Sequence, residues 1–285
     1  FNSIILIIFV SIGTVLIGAI NAWLVAMYIF PYKKYLEWLL FMPLAIPSYA
    51  LAYVYADLLG YGGFITNISS FIFDDNLKSI NFYSIYGGIF VFVFSLYPYV
   101  YLLMRQAFIS QSASYTEIAK ISGLNPLKII YKVSLPLSRP ALVGGVSLVV
   151  METLADYGVS DYLGINTFTK GIYKAWFNLG DITSAGKLSA ILLITIAFII
   201  TFERKLRGKA QYNNEVRSNK HLKMKTLYGT YAVIAIMACF IPVFFGFIIP
   251  LATIIFWSFS SIDIIYSYDF ISLAFSSFGL ALSAS

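Results

Sequence analysis

The chain has 285 residues, of which 60% are hydrophobic and 11% charged, with a net charge of +6. Soluble domains carry about 25% charged residues, so a soluble domain is excluded. Apolar runs of about 20 residues, enough to cross a hydrocarbon core of about 30 Å, recur along the whole length and predict an all-α, polytopic bundle of membrane helices.

The first run covers residues 3–30 and is followed by Lys33 and Lys34. The second, 38–59, contains Pro43 and Pro47. Prolines inside a membrane helix are tolerated where neighbouring helices satisfy the freed carbonyls, so they predict a packed bundle. A third run, 83–109, leads into a polar stretch, and a fourth, 138–157, leads out of it. The fifth is 186–202; the sixth, 227–257, holds Pro242 and Pro250; a seventh starts near 271. This gives six full spans and the opening of another.

Orientation follows from Lys and Arg. Fifteen of the 19 basic residues fall in alternate connections: Lys33 and Lys34, then Arg105 to Arg139, then Arg204 to Lys225. The other connections hold only Lys78, Lys170, Lys174 and Lys187. The basic set faces the cytoplasm, and the positive charge is a topology signal rather than a sign of nucleic acid as partner. Residues 203–225 (ERKLRGKAQYNNEVRSNKHLKMK) lack apolar periodicity and read as a basic linker. It separates a first unit, 1–202, from residues 226–285, which hold a connecting span and the start of a second unit entering in the same direction as the first. The chain opens on Phe1 and stops at Ser285 inside an apolar run, with no recognisable signal peptide, and is expected to be part of a longer protein.

Single reactive residues carry little. Cys239 lies in an apolar run and reads as a packed membrane cysteine. His221 sits in the linker without a second His or a Cys beside it, so no metal site is expected there. The chain holds no nucleophile with an adjacent base, and no catalytic residue is assigned.

The polar stretch 115–140, YTEIAKISGLNPLKIIYKVSLPLSRP, is the most structured signal. Ser114 and Glu117 form a capping box that starts a helix at Tyr115. Gly123 supplies a stop, Asn125-Pro126 restarts a helix, and Pro136 and Pro140 close the unit. The product is a helix, a tight turn and a second helix outside the membrane. Such an element suits either a position on lipid headgroups, with Lys120, Lys128 and Lys132 toward phosphate, or a rigid docking knob for another protein.

The spacing in this stretch resembles the EAA loop of bacterial binding-protein-dependent ABC importers, E-A-A-x3-G-x9-I-x-L-P. Glu117, Ala119, Gly123, Leu135 and Pro136 match at their offsets; Ile118 replaces an Ala and Val133 an Ile. The resemblance covers residues 1–202 as one permease unit of the ABC type-1 kind. It implies that Glu117, Ala119, Gly123, Val133, Leu135 and Pro136 dock on an ABC ATPase subunit, and that an extracytoplasmic binding protein delivers the substrate. It places the chain in the bacterial inner membrane. The sequence has no G-x-x-x-x-G-K-[ST] phosphate loop. ATP and magnesium are therefore expected on the partner ATPase, with no cofactor on this chain, which is a transport subunit and not an enzyme.

Glu152 and Asp156 are four residues apart and share a helix face near the outer end of the fourth run. Ionisable groups in a membrane helix face a cavity or a partner, so both are candidates for the substrate path; carboxylates hydrogen-bonded at the membrane edge are the competing account. The segment 155–177 is too polar and Gly-broken to span. It resembles the outward-facing segment of permeases for ferric iron, which implies that Asp161, Tyr157 and Tyr162 act as oxygen donors suited to Fe(III). Tyrosine is also the common interface anchor of membrane proteins. Importers of thiamine, a polyamine or an oxyanion are the rival substrate classes, and an ion-coupled secondary transporter or an intramembrane enzyme the rivals outside the family.

Overall fold

The computed structural model describes residues 1–60, 81–110, 132, 134–207, 225–260 and 268–284. Helix α1 (Asn2–Met27) ends in a two-residue strand, β1 (Tyr28–Ile29). Then come α2 (Lys33–Leu39), a 3-10 turn (Met42–Ala45) and α3 (Ser48–Leu59). Helix α4 is Ile85–Ser110, and α5 is Arg139–Ala155, preceded by a single turn at Leu135–Leu137. Two short helices follow, α6 (Gly158–Tyr162) and α7 (Phe168–Tyr173), the latter running into a π-helical turn at Lys174–Asn178. Helix α8 is Ile182–Arg207. After strand β2 (Lys225–Thr226), α9 (Thr230–Val243) and α10 (Ile249–Ser260) join through a π-helical turn at Phe244–Ile248, and α11 is Tyr268–Ala284.

Among the described residues, four helices are long and apolar enough to cross a membrane: Asn2–Met27, Ile85–Ser110, Ile182–Phe202 and Thr230–Phe259. The expected second span, 38–59, is not one rod. Its two parts, Lys33–Ala45 and Ser48–Leu59, meet at 91°. The cause is local: a residue before proline is pushed out of the helical region, and Ile46, before Pro47, is extended at φ −101°, ψ 119°. The fourth expected span is the 17-residue α5, and the seventh is the 17-residue α11. Helix α8 runs on past the fifth expected span, to Arg207.

The core forms where α1, α4 and α5 pack. Without lipid–water contrast to drive them together, membrane helices associate through small residues that let backbones approach. A Cβ added at Gly18 of α1 would stand 2.8 Å from Cβ of Val100, and one at Gly145 of α5 would stand 3.0 Å from its Cα. Val100 of α4 is thus gripped from both sides. Further along, Trp23 and Phe108 meet edge to face at 5.2 Å. Contacts advance together along α1 and α4, from Gly18 with Val100 to Trp23 with Phe108, so the two helices are parallel. That is the arrangement expected of two spans entering from the same side.

The ends of these helices on the predicted cytoplasmic side are tied. Glu37 of α2 forms an ion pair with Arg105 of α4, and Tyr101 Oη donates to the Glu37 carbonyl at 3.1 Å. Strands β1 and β2 pair in parallel, Tyr28 with Lys225 and Ile29 with Thr226. The chain beyond the basic segment is therefore fastened to the end of the first helix. On α8, Leu193 and Phe198 are largely exposed, an apolar face suited to lipid.

Candidate functional site

Helix α5 ends at Ala155, and Asp156 turns into extended backbone. A carboxylate shortly before a short helix can accept from that helix's free N–H groups. Asp156 does so: its Oδ1 accepts from Val159 N at 2.8 Å, at the start of α6. Its Oδ2 accepts from Ser48 Oγ at 3.0 Å, at the start of α3. Gly158 lets the two helices close on each other, since a Cβ there would stand 2.9 Å from Cβ of Tyr49.

These two helices and α10 surround an open-mouthed cavity of about 360 Å³. Tyr49 and Tyr53 come from α3, Asp161 and Tyr162 from α6 with Tyr157 just ahead of it, and Trp257 from α10. Their rings are in contact: Tyr53 lies 5.4 Å from Tyr162 and 5.2 Å from Trp257. Tyr83 backs Tyr162 at 5.9 Å. Burial, with Tyr83 beside it, holds the Tyr162 phenol well above the ordinary tyrosine range, so it stays protonated and can donate a hydrogen bond. The cavity's carboxylate, Asp161, is paired with Lys170 Nζ at 3.3 Å.

The structure separates the residues grouped by sequence. Tyr157, Asp161 and Tyr162 do line one cavity. Glu152 is not among its lining residues; it accepts from Tyr99 Oη at 3.5 Å. Asp156 lies next to the cavity with both oxygens engaged by Ser48 and Val159. Among the described residues no group of three or more His, Cys, Asp and Glu side chains converges. The cavity's oxygen donors are thus phenols plus one carboxylate. Tyr49, Tyr53 and Trp257 were not anticipated. The Tyr49–Tyr53 spacing of four places both rings on one face of α3, a signal that could have grouped these two but not shown what they face.

Of the expected docking loop, Glu117, Ala119, Gly123 and Val133 lie outside the described residues, as do the capping box and the Asn125-Pro126 restart. Leu135 and Pro136 form the turn leading into α5, and Ser138 Oγ donates to the Ser134 carbonyl at 2.8 Å to steady it. Leu137 there is exposed.

The family model described as "Binding-protein-dependent transport system inner membrane component" matches residues 14–204. The chain is 23% identical over 251 residues to the Fe(3+)-transport system permease protein FbpB 2 of Haemophilus influenzae, covering 85% of this chain and 46% of that one. It is 24% identical over 190 residues to a putative 2-aminoethylphosphonate transport system permease protein, PhnU, of Salmonella typhimurium, covering 65% and 66%. It is 28% identical over 156 residues to the sulfate transport system permease protein CysT of the same species, covering 55% and 54%. The chain thus spans about half of the first relative and just under two thirds of the second. The fold is similar to that of a chain in the crystal structure of a bacterial alginate ABC transporter in complex with an alginate pentasaccharide-bound periplasmic protein. The TM-score is 0.58 at 17% identity, over 73% of this chain and 77% of that one.

Proposed function

This chain belongs to the family of binding-protein-dependent transport system inner membrane components, and from that premise we propose that it is a permease subunit of an ATP-driven importer. The observation that carries the reading is the family match over residues 14–204, which includes the polar stretch 115–140. In this reading that stretch is gripped by a separate ATPase subunit, which holds ATP and magnesium. An extracytoplasmic binding protein delivers substrate to the opposite face. The cavity between α3, α6 and α10 belongs to the path that the substrate enters, with Asp161 at its wall.

For the substrate we propose ferric iron. The match to the Haemophilus influenzae ferric permease covers a larger share of this chain than the matches to the phosphonate and sulfate relatives. The carboxylate of Asp161 lines the cavity, and hard oxygen donors suit Fe(III). The test is uptake into proteoliposomes containing the full-length permease, its ATPase and its binding protein. Labelled ferric iron, 2-aminoethylphosphonate and sulfate are offered in turn. Accumulation of iron alone is the expected result; accumulation of either anion without iron overturns the substrate and keeps the importer.

A further inference from the structure

We infer that Asp156 is a positioning residue: its carboxylate clamps α3 to α6 and sets the geometry of the cavity between them, without meeting the substrate itself. The inference rests on reading that cavity as part of the substrate path. Each oxygen of Asp156 has a different helix as its partner. Oδ1 accepts from the first free N–H groups of α6 through Val159, and Oδ2 accepts from Ser48 at the start of α3. Those two helices carry Tyr49, Tyr53, Asp161 and Tyr162, the facing walls of the cavity.

The clamp holds the start of α3. Its first residue follows Pro47, and Pro43 and Pro47 break the preceding turn, so the direction of α3 is set by what its N-terminus is tied to. Ser48 and Asp156 are 108 residues apart in sequence, so this tie is tertiary and not a local turn. Close approach at Gly158 against Tyr49 makes the junction tight, and a few tenths of an ångström of movement there would be passed to the rings of Tyr53 and Tyr162. The role expected from the sequence, a charge that compensates a passing cation, predicts loss on removing the charge. A clamp predicts loss on removing the acceptors. Asparagine separates them, because its Oδ1 still accepts from Val159 N and its amide can donate to the Ser48 hydroxyl.

The experiment uses the full-length permease with its ATPase and binding protein, in parent form and as Asp156→Asn, Asp156→Ala and Ser48→Ala. Two quantities are read: ferric iron uptake, and the distance distribution between spin labels on cysteines placed at the exposed positions Asp57 on α3 and Asn166 after α6. Cys239 is buried and does not compete for label. The clamp predicts a narrow distribution and uptake within about twofold of the parent for Asp156→Asn. It predicts a broadened distribution and uptake reduced about tenfold for Asp156→Ala, with Ser48→Ala, which removes one arm only, between them. Asp156→Ala and Ser48→Ala distributions as narrow as the parent's overturn the inference. So does Asp156→Asn that loses uptake with a narrow distribution, since the charge is then what matters. If the parent takes up no iron, the substrate reading fails, and the distance measurement still decides the clamp.

Discussion

The Tyr55 hydroxyl donates to the carbonyl of Phe245 at 2.6 Å, joining residues 190 apart in the sequence. That carbonyl lies in the π-helical turn Phe244–Ile248, whose i→i+5 bonding would pair it with residue 250. Residue 250 is proline and has no N–H to offer. In a membrane an unsatisfied carbonyl has no water to turn to, and a side chain from α3 supplies the missing donor. Tyr55→Phe should therefore destabilise the protein by about 1 kcal/mol, within the range measured for hydrogen bonds between membrane helices. Combining it with Pro250→Ala, which restores a local donor, should recover most of that loss. Thermal unfolding in detergent of the four proteins of the cycle checks this; equal losses in both backgrounds would refute it.

The contact of Gly18 with Val100 predicts strong size discrimination in the main helix crossing. Gly18→Val puts side-chain atoms where Val100 Cβ would already be 2.8 Å from a first carbon, and overpacking of this kind destabilises by about 1–3 kcal/mol. Gly186 on α8 has no atom within 4 Å of such a carbon, so Gly186→Val there should be tolerated. The yield of monodisperse protein after purification should fall for the first variant and not for the second.

Asp181 caps α8, accepting from Ser184 N at 2.9 Å. Ser184, through its hydroxyl and its N–H, holds this carboxyl below the usual aspartate range. A depressed carboxylate stabilises the folded state above its unfolded pKa, and that contribution is lost as pH falls through the folded value. The first turn of α8 should therefore keep its protection from neutral pH down to about pH 4, the ordinary aspartate pKa, and lose it below. Hydrogen exchange at the Ser184 amide reads this, and Asp181→Asn should abolish the pH dependence. A parent amide whose protection is flat to pH 2 would contradict the cap.

Residues 203–225 hold eight of the 19 basic residues and are read as cytoplasmic. A cysteine placed at Asn213 should escape an impermeant maleimide applied to intact cells and react after permeabilisation. One placed at Asn166, beyond the outer end of α5, should react in intact cells. The reverse pattern would invert the orientation.

How far the sequence led depends on which forces were local. The long helices were legible because an apolar run of 20 residues has one use, and α1, α4, α8 and the α9–α10 pair lie close to where the runs predicted. The break at 91° was not, because Pro43 and Pro47 inside an apolar run look the same whether they kink a span or end one. Tyr157, Asp161 and Tyr162 fall together because they are neighbours in the sequence. Tyr53 and Trp257 were hidden by distance: each sits in an apolar helix with nothing local to say what its ring meets. Glu152 and Asp156 share a helix spacing but not a partner, because α5 stops at Ala155 and the chain turns between them.

In the proposed function, a separate ATPase drives this importer subunit through its cytoplasmic stretch. Gly123 is expected to be a turn that a β-branched residue disfavours, so Gly123→Val should insert normally and lose its grip on the ATPase. The most direct measurement is ATP-dependent ferric iron uptake by reconstituted full-length permease with ATPase and binding protein, for parent and Gly123→Val, with co-purified ATPase quantified in the same preparations. Uptake by the parent should need both ATP and the binding protein, and the variant should lose both uptake and bound ATPase. Uptake by the parent permease alone, driven by an ion gradient without ATP, would contradict it.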